Sequence, residues 1–392
     1  MIFKDLRISP LRNILTSISM LVGIIAMIGS FLVGTLGKDY LISVNAQMYG
    51  WTPTYSYSIT DSDFQDSIKM EEFFYKIHDC VTITFDMREN IIFAPIVSVS
   101  SLQGAANDIY KKVVPVDVVL TTTAYNKIYN LPMSSGSWFS YSETEKSLCM
   151  VVNKEAESYF NTPYAVGNTG SSLSLTPFNV TGTVNDGKDI PTVYLDAQAV
   201  EEFLPNMWQV QNASVYWHLT KGLTTNQMYS SLDDILQDTI GGHIEYSGRS
   251  DIGDAYDSVL SMLQLGLLIT SFLLLFVSVL GQINIGLSSL EQRTYELLIR
   301  RAIGASRINI VALVLGTQLV ISIFVCIVSI LLSILIVEGI GIFLPPDTPV
   351  ASPAYPFFSA VVAVVASVTV ALLGGLLPAL KAAKLEPALA LR

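Results

Sequence analysis

Four stretches of the chain contain no Asp, Glu, Lys or Arg: 13–37, 258–290, 308–337 and 348–380. A helix needs roughly 20 apolar residues to cross a bilayer core, and each stretch is longer than that. The pattern therefore predicts four membrane-spanning helices. Between the first and second lies a long polar segment, 39–257, with the alternation of an ordinary water-soluble domain. The order is one span, a large polar domain, then three spans.

Within the polar segment the periodicity changes along the chain. WTPTYSYSIT (51–60) alternates like a strand, DFQDSIKMEEFFYKIH (63–78) reads as a helix, and VTITFDM (81–87) is a strand again. The same order recurs at the far end: ASVYWHLT (213–220), a helix near 224–238, and HIEYS (243–247). This predicts a βαβ-containing subdomain made of 40–108 plus 213–257. A β-rich subdomain, 109–212, is inserted in it, with strand signals in VPVDVVLTTTAYN, LCMVVN, SLSLTPFNVTGTV and PTVYLD. The run GTVNDGKD (182–189) nearly spells a phosphate loop, but Asp189 stands where Ser or Thr must bind Mg²⁺. Asn185-Asp186-Gly187 reads instead as a tight hairpin turn.

The stretch 288–307, SSLEQRTYELLIRRAIGASR, separates two spans. Wound as a helix, it places Tyr295, Leu298, Ile299, Ala302 and Ile303 on one apolar face. Arg293, Glu296, Arg300 and Arg307 fall opposite, with Arg301 off the main polar face. Glu296 and Arg300 stand four apart in the favourable order, and Gly304 is suited to ending the helix. The expectation is a short amphipathic helix at a membrane surface, with Tyr295, Leu298 and Ile299 on the membrane or on neighbouring spans.

Charge orients the chain. The two ends and the 288–307 loop hold ten basic and four acidic residues, whereas 338–347 holds Glu338, Asp347 and no basic residue. By the positive-inside rule both termini and the loop are cytoplasmic and the polar domain is extracytoplasmic. Counting Lys38 with it, that domain carries 12 basic and 27 acidic residues, net −15, which argues against nucleic acid as a partner. Residues 1–11 read as a short interfacial helix ended by Pro10, and 1–37 as an uncleaved anchor with glycines at 23, 29 and 34 suited to close packing. Cys80 and Cys149 stay open between a disulfide and two buried thiols. Cysteine spacing and the scattered His78, His218 and His243 fit no metal site, and Glu71–Glu72 and Glu201–Glu202 read as solvated surface. Neither a metal nor any other cofactor is expected on this chain.

The segment EQRTYELLIRRAIGAS (291–306) resembles the cytoplasmic loop of the MacB/FtsX-type permeases of ABC transporters. The chain's ending, with Gly374, Pro378, Ala379, Ala382 and Pro387 before the closing ALALR, resembles the way those permeases finish. LPMSSGSWFS (131–140) and VVNKEAESYF (151–160) are similar to ectodomain units of the same family. The resemblance covers the whole chain. It implies four transmembrane helices in a 1+3 arrangement with a large α+β extracytoplasmic domain at 38–257, and 258–392 as three helices with a coupling helix at 288–307.

Functionally the resemblance implies a non-catalytic permease subunit in a bacterial inner membrane. Two permease copies or paralogues pair above separate cytoplasmic ATPases, which bind the ATP. Arg293, Glu296, Arg300 and Arg301 would contact the ATPase. The spans would relay its motion to the outer domain, for export or handling of a peptide, antibiotic, toxin or lipoprotein. An extracytoplasmic adaptor and membrane lipids are further expected partners. Two other readings compete: a regulator that activates a cell-wall hydrolase, and a membrane receptor with no ATPase.

Overall fold

A computed structural model describes residues 10–77, 81–102, 110–140, 147–169, 175–218, 224–350 and 354–384. The chain divides into two compact units. A helical unit comprises the described residues of Met1–Asp39, Asp257–Leu344 and Ser352–Arg392, and a sheet domain comprises those of Tyr40–Tyr256 and Pro345–Ala351.

The first described element is helix α1 (Pro10–Tyr49); the interfacial helix expected at 1–11 falls almost wholly outside the described residues. Pro10 takes the first position, where its missing N–H costs nothing. The sheet domain then runs β1 (Thr54–Thr60), α2 (Ser67–Ile77), β2 (Thr82–Met87), β3 (Ile91–Ile96), β4 (Asp117–Thr121), α3 (Tyr125–Ile128) and β5 (Met133–Gly136). It continues with β6 (Cys149–Asn153), α4 (Lys154–Glu157), β7 (Tyr164–Thr169), β8 (Thr176–Val184), β9 (Thr192–Asp196) and α5 (Ala197–Phe203). It closes with β10 (Val210–His218), α6 (Thr225–Asp238) and β11 (His243–Arg249). Three helices end the chain: α7 (Gly253–Ala302), α8 (Arg307–Phe343) and α9 (Phe357–Ala383).

The strands form one sheet in the order β11-β1-β10-β2-β4-β9-β6-β8-β7-β3, with β5 paired to β8. The first four are mutually antiparallel. With α2 after β1 and α6 after β10 they make a split βαβ arrangement. Its helices are amphipathic: α2 buries Met70, Phe73, Phe74 and Ile77, and α6 buries Met228, Leu232 and Leu236 behind a capping box at Thr224 and Gln227. The remaining strands mix parallel pairs (β4 with β9, β6 with β8) and antiparallel ones. Among the described residues, the two halves of the sheet are hydrogen-bonded to each other where Thr84 and Phe85 face Thr121 and Leu120. The Thr121 hydroxyl reinforces that seam by donating to the Ile83 carbonyl at 2.8 Å.

Two expectations change here. Strand β3 follows β2 closely in sequence, yet it pairs with β7 at the opposite edge of the sheet, so it does not belong with the βαβ half. Asn185-Asp186-Gly187 is not a hairpin turn, because β6 lies between β8 and β9 in the sheet. Gly187 does take a positive φ of 70°. Asp186 is buried, accepting from the Asn153 amide at 3.2 Å and the Tyr194 hydroxyl at 2.7 Å.

In the helical unit all four helices are long and apolar enough to cross a membrane. At 1.5 Å per residue, α7 extends about 75 Å and α1 about 60 Å, well beyond a ~30 Å hydrocarbon core. Small residues bring the helices together. A Cβ on Gly23 would meet Leu275, and one on Gly34 would meet Gln264. The Ser271 hydroxyl donates to the Ala26 carbonyl at 2.9 Å. Gly23 and Gly34 are thus occupied by α7 of the same chain, while Gly29 faces open space. Between α8 and α9 the Ser322 hydroxyl donates to the Ser367 carbonyl at 3.0 Å. The core of the unit gathers Met20, Ile24 and Ile28 with Leu275, Val325 and Val370.

Candidate functional site

The candidate site is the end of the helical unit where α7 turns into α8. Residues 288–302 do not form a separate surface helix; they are the last turns of α7. Nothing between Ser288 and Ile303 breaks a helix, and the run is rich in Leu, Glu and Arg, so the span simply continues. It stops at Gly304, whose φ of 108° only glycine adopts readily. There the amides of Gly304 and Ala305 donate to the carbonyls of Arg301 and Arg300. Helix α8 starts at once, capped by the Ser306 hydroxyl, which accepts from the Asn309 amide at 3.2 Å.

The two faces of this end separate more sharply than the sequence foretells. Leu290, Leu297, Ile310 and Ala382 form a buried cluster joining α7, α8 and α9, and Leu298 is buried as well. Tyr295 and Ile299 are exposed, together with Ile303 and Ile308, which are 82% and 78% exposed. The inward face therefore runs through Leu290, Leu297 and Leu298, of which only Leu298 was expected. Leu290 and Leu297 are themselves seven apart, and that spacing was the available signal.

On the polar side, the Arg300 guanidinium meets the Glu296 carboxylate at 2.6 Å. Arg293 and Arg300 are partly exposed. Arg301 turns inward, donating to the Ala383 carbonyl at the end of α9. The family-like ending lies beside it. A Cβ on Gly374 would collide with Gln282 of α7, and one on Gly286 of α7 would collide with Pro378. Gly374, Pro378, Ala379 and Ala382 are all buried. These residues are the packing seam of α9 against α7 and α8. Helix α9 continues past Pro378 to Ala383. Pro387 lies outside the described residues, as do His78 and Cys80, so the Cys80–Cys149 pairing also falls outside them.

The sheet domain offers little reactive chemistry. Among the described residues no group of three or more His, Cys, Asp or Glu is placed to hold a metal. His218 lies 3.0 Å from the carbonyls of Trp51 and Pro53, and His243 lies 3.5 Å from Asp233. An acidic cleft between α2 and α5, about 580 Å³, is lined by Ser67, Ile68, Glu71, Glu201 and Glu202. Glu201 is not the solvated residue that its sequence context implies but is buried. Burial raises its pKa, a hydrogen bond with Ser67 opposes the rise, and the charges of Glu202 and Glu71 add to it.

Comparison with known proteins places these features. The model for the MacB-like periplasmic core domain matches residues 14–235. That for the FtsX-like permease C-terminal region matches 268–387. Over 127 residues the chain is 38% identical to the macrolide export ATP-binding/permease protein MacB of Mannheimia succiniciproducens. The matched stretch is 32% of this chain and 19% of that protein, so the chain matches about a fifth of its relative's length. The periplasmic region of MacB from Actinobacillus actinomycetemcomitans aligns at 11% identity over 54% of this chain and 93% of its own, with a TM-score of 0.35. The extracellular domain of the noncanonic ABC-type transporter YknZ from Gram-positive bacteria aligns at 10% identity over 48% and 99%, with a TM-score of 0.31. These structural scores are low, and the assignment rests on the two family models. With one matching α1 and most of the sheet domain and the other matching α7 through α9, the chain belongs to the MacB/FtsX-like permease family of ABC transporters.

Proposed function

We propose that this chain relays mechanical work. A separate cytoplasmic ATPase binds the end of the helical unit at the α7–α8 turn, and its cycle moves the sheet domain, which handles a peptide, antibiotic, toxin or lipoprotein cargo. Two permease copies, or this chain and a paralogue, act as a pair. The termini and the α7–α8 turn face the cytoplasm and the sheet domain faces outward. The permease itself does no chemistry on ATP.

The observation that carries this reading is the continuity of α7. One unbroken helix begins at Gly253, directly after the last strand of the sheet domain, and ends at Ala302 beside the exposed Tyr295, Ile299 and Ile303. A helix uninterrupted between its two ends offers a covalent path along which displacement can pass. At the ATPase end Arg293, Glu296 and Arg300 supply the polar contacts, while Arg301, turned inward onto the Ala383 carbonyl, ties α7 to α9. Tyr295 and Ile299, exposed on the helix surface, face the membrane, and Leu298 holds the helix to its neighbours.

Glu296→Lys tests this. The change adds positive charge on the side that favours it, so insertion should be normal. It breaks the pair with Arg300 and reverses the charge offered to the partner. Loss of ATPase co-purification from a folded, inserted permease is expected. Full ATPase binding and full activity in cells would overturn the coupling role.

A further inference from the structure

The described residues that leave α8 and lead toward α9, Pro345-Pro346-Asp347-Thr348-Pro349-Val350, belong to the sheet domain. A connecting turn of this length normally lies in water. Asp347 instead is 6% exposed. Its carboxylate receives Lys154 Nζ at 2.7 Å and the Ser134 hydroxyl at 3.0 Å. Its backbone carbonyl receives the Asn185 side-chain amide at 2.8 Å, and the Pro349 carbonyl receives the Asn130 amide, also at 2.8 Å. The four donors come from four separate places: the segment after α3, β5, the start of α4 and the end of β8.

The two asparagines have a second hold. The Asn130 amide also donates to the Ser43 carbonyl at 3.1 Å, and the Asn185 carbonyl accepts from the Gln47 amide at 2.9 Å. Ser43 and Gln47 lie on the part of α1 that belongs to the sheet domain. Each asparagine therefore bridges the end of the first span and the turn between the third and fourth.

We propose that this turn is a second handle on the sheet domain. It is seated in a built socket keyed by Asp347 and Lys154, and Asn130 and Asn185 make it move as one body with the outer end of α1. The third and fourth spans then act on the sheet domain directly, alongside α1 and α7. The use of the handle rests on the mechanical reading above; the handle itself does not. The socket is a permanent tie, not a neutral-pH release. The Lys154 hydrogen bond is the main cause that holds the Asp347 carboxyl below its usual range. A depressed carboxyl contributes its stability above its unfolded pKa and loses it only as pH falls through the folded value.

The test is hydrogen–deuterium exchange on the full chain in lipid nanodiscs, with no ATPase present. Lys154→Met leaves a buried carboxylate without its counter-charge, so the amides of Asp347, Thr348 and Val350 should exchange at least about tenfold faster. Adding Asp347→Asn removes the stranded charge, and the double variant should recover most of the protection. Asp347→Asn alone keeps the shape and should sit between wild type and Lys154→Met. Asn130→Ala should loosen the turn and the Ser43–Gln47 segment together. Turn exchange unchanged in Lys154→Met, or a double variant no better than the single one, overturns the socket. Loosening confined to one segment in Asn130→Ala overturns the shared body. Because no partner is involved, failure of the Glu296→Lys experiment leaves these outcomes intact, and the reverse holds too.

Discussion

The Arg301 guanidinium donates to the backbone carbonyl of Ala383 at 3.0 Å, joining the last turn of α7 to the last turn of α9. The last carbonyls of a helix have no partner within it, and a cation placed there also meets the negative end of the helix dipole. Arg301→Ala should lower the stability of the helical unit by about 1 kcal/mol. Lysine, which lacks the planar fork, should restore only part of it. Thermal release of the buried Cys326 thiol in detergent reads this out. An unchanged melting curve would show that the contact carries no weight.

The second prediction compares two glycines. A Cβ at Gly374 would lie 2.8 Å from the Gln282 Cβ, whereas one at Gly266 meets nothing within 4 Å. Gly374→Ala must push α9 from α7 and should cost about 1–3 kcal/mol. Gly266→Ala should leave stability equal or slightly higher, since alanine favours helix. The same thiol-release melt compares them, and equal curves would refute the seam.

Glu201 sets a pH dependence. Its pKa is raised in the folded state, chiefly by burial, so folding favours the protonated carboxyl. Stability then falls as pH rises from the ordinary carboxylate range through the raised value. Glu201→Gln should raise the sheet-domain melting temperature by about 2 °C at pH 8 and leave it unchanged near pH 4. Trp51, Trp138, Trp208 and Trp217 are the chain's only tryptophans, so emission from the full chain reports this domain alone. A gain at low pH instead would reverse the sign argued here.

Orientation is tested with exposed positions. Ile68 and Ile303 are 81% and 82% exposed and belong to different units. A membrane-impermeant thiol reagent should label Ile68→Cys in intact cells and Ile303→Cys only after lysis. The opposite order would invert the topology.

The spans were legible because nothing competes with their signal: an uncharged run of that length has no other stable home. The two βαβ units were legible for the same reason, since Phe73, Phe74 and Ile77 repeat at helical spacing beside alternating strands. What stayed hidden depends on partners distant in sequence. Strand β3 lies within 40–108, the stretch assigned to the βαβ subdomain, and only its pairing with β7 removes it to the far edge. Asp347 reads as a loop carboxylate, because Lys154 and Asn185 stand far from it in the chain. At the candidate site the polar residues and Gly304 were visible in the helical repeat. The inward turn of Arg301 was not, since its acceptor is a backbone carbonyl that carries no sequence signature.

The position of β1 has a consequence for biosynthesis. It lies between β10 and β11, and about 150 residues separate its end from the first of these partners, so at ordinary translation speeds it emerges on the order of ten to thirty seconds before them. Throughout that interval a strand with alternating tyrosines stands with both edges open, the condition under which chains join their neighbours. Its second partner, β11, ends at Arg249, just before α7 begins at Gly253. The sheet therefore closes only when the second span is already being delivered to the membrane. Completion of the sheet and delivery of that span to the membrane fall close together in time.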